Sequence, residues 1–220
     1  MTIMRAFVRH YLDPADRLGE TLFGLIMALG FTGAVRLGRE EADNHALFIG
    51  IFGCNLAWAI VDGVMYVLSQ LFERGRQARV TRDVLNAPNE AAALKHIGDE
   101  IENPLMALTT TEERGQIHRR VLELVRRSTP DTPKVQGEDL LGGVAVALII
   151  VFATLPVVVP FLVVARPTVA VRISNVVALT QLFLLGAWWG RMVGGSSLRI
   201  ASGLTLIGVA LVLITIALGG

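Results

Sequence analysis

Five stretches of the chain are almost free of charge, and the charged residues crowd into the connectors between them. Thr21–Val35 holds 15 uncharged residues, Leu140–Ala165 holds 26, Ile173–Gly190 holds 18 and Ile200–Gly220 holds 21. Ala46–Phe72 is 27 residues long and has one charge, Asp62. A helix rises about 1.5 Å per residue, so about 20 apolar residues cross the hydrocarbon core of a bilayer. The pattern predicts an all-α polytopic membrane protein with five transmembrane helices. Thr21–Val35 is short for a span and would draw Glu20 toward the membrane. Residues 1–72 then carry an N-terminal segment and the first two spans, and 140–220 carry the third to fifth. Pro156 and Pro160 fall inside the third and predict a kink that frees backbone carbonyls.

Residues 73–139 form the one long polar connector, and they read as a helical insertion between the second and third spans. The second span should continue past the membrane into ERGRQARVTRDVL, where only Gly75 weakens a helix before Pro88. Asn89–Asn103 is a second helix, closed by Pro104. Thr110, three residues before Glu113, has the spacing of a capping box and opens a third. Ile117, Val121, Leu124 and Val125 would share its apolar face, and STPDTPKVQGED reads as a linker back to the membrane. No internal repeat is visible, so an inverted-repeat architecture is not indicated.

Composition agrees with a membrane protein: 53% of residues are hydrophobic, 18% are charged, and the mean hydropathy is +0.57. The net charge of +1 is uninformative, but its distribution orients the chain. With the N-terminus inside, 16 Lys and Arg fall on the inner side and 4 on the outer. The expected arrangement has a cytoplasmic N-terminus, a cytoplasmic 73–139 insertion and a C-terminus on the opposite side of the membrane. The N-terminal residues have no apolar core of a cleavable signal, and the single Cys54 cannot form an internal disulfide. Trp188 and Trp189 beside Arg191 have the composition of an interfacial anchor.

The chemistry concentrates around Asp62. A carboxylate at mid-membrane costs about 2.5–3.5 kcal/mol on insertion scales, so it persists where it faces protein, water, a proton or a cation. Helical spacing puts Asn55, Trp58, Asp62, Met65, Tyr66 and Ser69 on one stripe. In the first span Glu20, Gly24, Met27 and Phe31 share a face. A carboxylate and a methionine recur on both helices, a donor set that fits Fe2+, Mn2+ or Zn2+ better than Na+ or K+. Each methionine reads equally well as packing. Glu20 could also be a first-turn helix acid near Arg17. Asp62, Glu20, Met65, Asn55 and Met27 are the candidate metal residues. In the insertion, His96, Asp99 and Glu100 at i, i+3 and i+4 could hold a divalent ion with ligands from a second helix, or form a solvated face. Gln181 should make an interhelical hydrogen bond, and Asn175 sits near the interface. No nucleophile–base arrangement, phosphate loop or nucleic-acid motif is present, so neither an enzyme nor a nucleic-acid partner is expected, and no cofactor is required.

The layout of five spans with one helical insertion resembles the vacuolar iron transporter family. DRLGETLFGLIMALGFTGAV is similar to the first span of its bacterial members and GCNLAWAIVDGVMYVLSQ to the second. TLPVVVPFLV resembles the proline-punctuated third, and LFLLGAWWGR with the apolar stretch after it resembles the end of the family. The resemblance implies a homodimer that moves cytosolic Fe2+ or Mn2+ out of the cytosol, coupled to protons, through carboxylates and methionines of the first two spans. Glu20 falls near the family's first-span acid, and Asp62 or Met65 near its second-span polar position. The chain departs from the family at three places. It lacks the Asn-Asp-Gly signature in the first span, the Gly-Glu-Tyr signature in the second, and the repeated Glu-x-x-Glu pattern of the insertion. It therefore looks like a divergent branch. Two other readings stay open: an assembly protein with Asp62 in a structural polar network, and a transporter of another small cation.

Overall fold

The computed structural model describes residues 2–37, 43–101, 108–129 and 132–217. The predicted end of the insertion's second helix at Asn103–Pro104 lies outside them, as do residues 218–220 of the fifth apolar run. The described residues are helical, with no strand among them. Eight helices follow in order: α1 (Thr2–Tyr11), α2 (Pro14–Leu37), α3 (Asn44–Leu85), α4 (Glu90–Ile101), α5 (Thr111–Arg126), α6 (Gly137–Val163), α7 (Pro167–Met192) and α8 (Ser197–Ala217). Of these, α3, α6 and α7 are long and apolar enough to cross a membrane. Helix α8 contributes a shorter apolar stretch, Ser197–Ala210. Helix α2 carries Asp16, Arg17 and Glu20 in its first two turns.

Local sequence explains where the helices begin. Asp13 caps α2, its Oδ1 accepting from the amides of Ala15 and Asp16 at 2.7 and 3.0 Å, with Pro14 as the first helical residue. Asp43 accepts from Ala46 N at 2.7 Å ahead of α3, and Asn89 from Ala92 N at 2.8 Å ahead of α4. At α5 the predicted capping box is present: Thr110 Oγ1 accepts from Glu113 N, and the Glu113 carboxylate accepts from Thr110 N. Helix α3 runs unbroken through Gly75 to Leu85, as the sequence suggested. Helix α1 was not expected, because its apolar residues alternate with Arg5, Arg9 and His10 and form no continuous run.

The chain divides into two compact units. The first combines residues 1–67 with 137–220. Its main core joins Leu25, Ala28 and Leu29 of α2, Leu47 and Ile51 of α3, Val157, Val158 and Phe161 of α6, and Ala178 and Leu182 of α7. A second cluster packs Phe7, Val8, Tyr11 and Leu12 against Ala59 of α3 and Ala145, Val146 and Ile150 of α6. Two glycine contacts set the helix spacing. A Cβ at Gly63 would sit 2.7 Å from the Gly143 carbonyl oxygen, and one at Gly143 would sit 2.6 Å from that of Gly63. The α3 and α6 backbones therefore touch. Helices α7 and α8 form a tight hairpin in which a Cβ at Gly186 would meet Ala201 Cα at 2.7 Å, and Gly194 turns the chain at φ 70°.

Polar side chains tie these helices together. Ser174 Oγ donates to Val157 O at 2.8 Å and Gln181 Nε2 to Ala153 O at 3.3 Å. Both acceptors lie in the proline-punctuated part of α6, and Gln181 makes the interhelical bond expected of it. Thr32 Oγ1 lies 2.7 Å from Asn175 Oδ1, so Asn175 joins α2 to α7 rather than merely marking an interface.

The second unit comprises residues 68–136. Val84 of α3, Ala93 and Ile97 of α4 and Leu122 of α5 form its core, with Val121 and Val125 packed alongside. The expected apolar face of α5 is thus turned by part of a helical step. Leu122 is buried, while Leu124 and Ile117 are exposed.

Candidate functional site

Asp62 and Asn55 stand two turns apart on α3. Asn55 is 1% exposed, and its Nδ2 donates back to Ile51 O at 3.0 Å. That bond uses the donor side of the amide. The acceptor Oδ1 is buried with no hydrogen-bond partner. It points at the α2 backbone: a Cβ at Gly24 would lie 3.7 Å from it. Gly24 therefore leaves room beside an unmatched oxygen. Asp62 repeats the pattern, with a buried Oδ2 that has no partner. Buried polar atoms left unpaired cost free energy and are uncommon. Among the described residues Asn44 Oδ1, Asn55 Oδ1 and Asp62 Oδ2 of α3 and Gln181 Oε1 of α7 are buried without a partner, and of these only Asp62 is an ionisable group, which makes it the candidate.

Helix α2 brings Glu20 into the same region. Glu20 and Asp62 lie within electrostatic reach of each other, and Asp16, one turn before Glu20, adds a third negative charge. Like charges placed together in a largely apolar setting repel unless a cation or protons intervene. Met27 is half-buried two turns further along α2, beyond Gly24. Met65 is 54% exposed and faces away from the packed side of α3.

The predicted stripe on α3 is therefore split. Asn55, Asp62 and Tyr66 turn toward the packed side, and Tyr66 donates its hydroxyl to Tyr11 O at 3.1 Å. Trp58, Met65 and Ser69 are exposed, with the Trp58 ring 5.9 Å from that of Phe23. At about 100° per residue, Asp62 sits about 20° from Asn55 on one side and about 20° from Ser69 on the other. Asp62 is thus on the seam between the packed and uncovered faces of α3.

Among the described residues, no three His, Cys, Asp or Glu side chains are grouped to hold a metal ion. Around Asp62 the electrostatic neighbours are Glu20 and Asp16, while Asn55 and Met27 lie two turns, about 10 Å, further along their helices. In the second unit, Glu100 accepts a hydrogen bond from Arg76, which also binds Glu73 at 2.8 Å. Asp99 shares a cleft of about 400 Å3 with Lys95, Arg114 and His118, and His96 is exposed. His118 of α5 does reach the side of α4, 3.2 Å from where a Gly98 Cβ would lie. The cleft's cationic neighbours oppose a metal ion there.

Sequence reasoning passed over Asp16 and the Gly63–Gly143 crossing. Asp16 was legible as an acid at i−4 from Glu20. The crossing was not, because the chain has 22 glycines and nothing singles out this pair. No protein-family model matches the chain, and no curated protein matches it.

Proposed function

We propose that this protein is a five-span membrane transporter that moves divalent transition-metal cations, Fe2+ or Mn2+, out of the cytosol. The carrying observation is the convergence of Glu20 from α2 and Asp62 from α3, the latter with a buried oxygen that has no hydrogen-bond partner among the described residues. Helices α2 and α8 join α3, α6 and α7 as spans in this reading, and residues 73–139 lie in the cytoplasm. Asp62 and Glu20 supply the charged ligands, while Asn55 Oδ1 and Met27, each two turns or about 10 Å further along its own helix, would line a path to them rather than share the ion's shell. Water completes the ion's shell, which suits a site that must release what it binds. A desolvated carboxylate can exchange a proton for a metal ion, which supplies a route to proton coupling. The uncovered face of α3, Met65 included, is where a second copy would sit in a homodimer.

The main rival is a non-transporting assembly protein that uses Asp62 in a polar network. That reading needs protein donors on both carboxylate oxygens, and Oδ2 has none among the described residues. The test is uptake of Mn2+ and Fe2+ into proteoliposomes under a pH gradient. Wild-type protein should carry metal above empty-vesicle leak, and Asp62→Ala and Glu20→Gln should fall to that leak. Equal background flux from wild type and Asp62→Ala would falsify the proposal.

A further inference from the structure

Where α2, α3 and α6 meet, one buried oxygen lacks a donor. Asn55 of α3 is 1% exposed, and its Nδ2 is committed to Ile51 O at 3.0 Å. Its Oδ1 is buried and has no hydrogen-bond partner among the described residues. Turning the amide over gives no relief, because it would set an oxygen against Ile51 O.

Asn55 Oδ1 faces a glycine. A Cβ on Gly24 of α2 would lie 3.7 Å from Asn55 Oδ1, 3.6 Å from Ile150 O of α6 and 3.3 Å from Ile150 Cγ2. The two oxygens stand at van der Waals distance from that point. The bare Cα of buried Gly24 therefore leaves a recess about the size of a methyl group, which is also about the size of a water molecule. Thr154 of α6 is fully buried and brings a third oxygen to the same edge, its Oγ1 donating to Ile150 O at 2.8 Å.

The balance of donors and acceptors selects the occupant. Asn55 and Thr154 turn donors to the backbone carbonyls of Ile51 and Ile150, and they leave oxygen lone pairs to the recess. An apolar filler would leave Oδ1 unmatched. A hard divalent cation takes about six oxygen ligands or more, and three neutral ones fall short. A water molecule brings two O–H donors and needs about two to four polar partners.

We infer that one water molecule is bound at the Gly24–Asn55–Ile150 junction, donating to Asn55 Oδ1 and to the oxygen edge of α6. Glycine at position 24 is what makes room for it. Glu20 lies one turn earlier on the same face of α2, so this hydration site carries the polar line of the acidic region into the bundle. The inference needs no transported metal and no particular number of spans.

The test is a double-mutant cycle in the full-length protein, read by thermal unfolding in detergent. Gly24→Ala fills the recess, expels the water and strands Oδ1. It should melt about 2–4 °C below wild type despite the helix preference for alanine. Asn55→Ala removes the acceptor that holds the water, and adding Gly24→Ala on that background should raise the melting temperature by about 2–4 °C. Any result without this reversal of sign overturns the inference. A fall on both backgrounds means that the new methyl clashes with Ile150, and a rise on both means a dry recess. A high-resolution crystal structure supplies the direct readout, which stands even where Asn55→Ala does not fold. Wild type should show density within hydrogen-bond distance of Asn55 Oδ1, and Gly24→Ala should not. Wild-type density absent there, or an anomalous signal there after soaks with Mn2+ or Tl+, overturns the water assignment. Metal flux enters neither readout, so failure of the transport reading leaves this test intact.

Discussion

The backbone-to-backbone crossing of α3 and α6 supplies a sharp prediction, because Gly63 lies next to Asp62 in the chain. Gly63→Ala adds one methyl group to α3. Its carbon would lie 2.7 Å from Gly143 O and 3.3 Å from Gly143 C, both backbone atoms. A backbone cannot rotate aside as a side chain can, so α3 and α6 must part by several tenths of an ångström. Overpacking of this kind costs about 1–3 kcal/mol. The intrinsic preference of helices for alanine over glycine returns only about 1 kcal/mol. Gly53→Ala supplies the comparison on the same helix: nothing lies within 4 Å of its Cβ, so only the favourable term applies. Thermal unfolding in detergent, followed by tryptophan fluorescence, should show Gly63→Ala melting below wild type and Gly53→Ala at or above it. The expected scale is about 2–4 °C for each kcal/mol in a chain of this size. Parting the helices also moves Asp62 relative to Glu20, so metal flux should fall in Gly63→Ala and persist in Gly53→Ala. If Gly63→Ala melts with or above Gly53→Ala, the α3–α6 crossing is not the tight contact described.

Other substitutions test the polar ties and the capping. Ser174→Ala removes a buried hydroxyl that donates to Val157 O at 2.8 Å and should cost about 0.5–1.5 kcal/mol by the same melting assay. Thr110→Ala removes the cap of α5 and should destabilise the second unit by about 1 kcal/mol, read as faster amide exchange in the first turn of that helix. The Glu113 carboxylate, bonded to Thr110, is held below its ordinary value of 4.5. A group whose folded value is depressed stabilises above its unfolded value and loses that contribution as pH falls through the folded one. The first turn of α5 should therefore be protected at neutral pH and loosen below about pH 4.5, and Glu113→Gln should flatten this acid dependence.

Helix boundaries were legible in the sequence because they rest on local chemistry. Asp13–Pro14, Asn89 and the Thr110–Glu113 pair act within a turn of their own positions, so their spacing alone announces them. The passage of α3 through Gly75 was legible for the same reason, since one glycine costs too little to break a long helix. Helix α1 was hidden because its apolar residues form a stripe rather than a run, and only its packing on α6 gives that stripe a partner. The face of α5 is turned from the expected one, with Leu122 inward and Ile117 and Leu124 exposed. Periodicity fixes which residues share a stripe but leaves the stripe's heading to the neighbouring helices. The candidate site divides along the same line. Asp62 stood out as a charge in an apolar run, whereas its proximity to Glu20 depends on how α2 lies against α3.

The seam position of Asp62 also says what the site requires. Its electrostatic neighbour from α2 is Glu20, which adds negative charge, and among the described residues Oδ2 has no donor. A carboxylate that only stabilised this fold would be expected to face a donor from α6 or α7, where Gln181 and Ser174 instead donate to backbone carbonyls. On the transport proposal a cation would reach Asp62 from outside the packed bundle, along the side where Trp58, Met65 and Ser69 are uncovered. Whatever covers that face controls access to Asp62. Lipid would seal it from water, whereas a second copy of α3 would set two acidic seams opposite each other, doubling the carboxylates without any change to the chain's own fold.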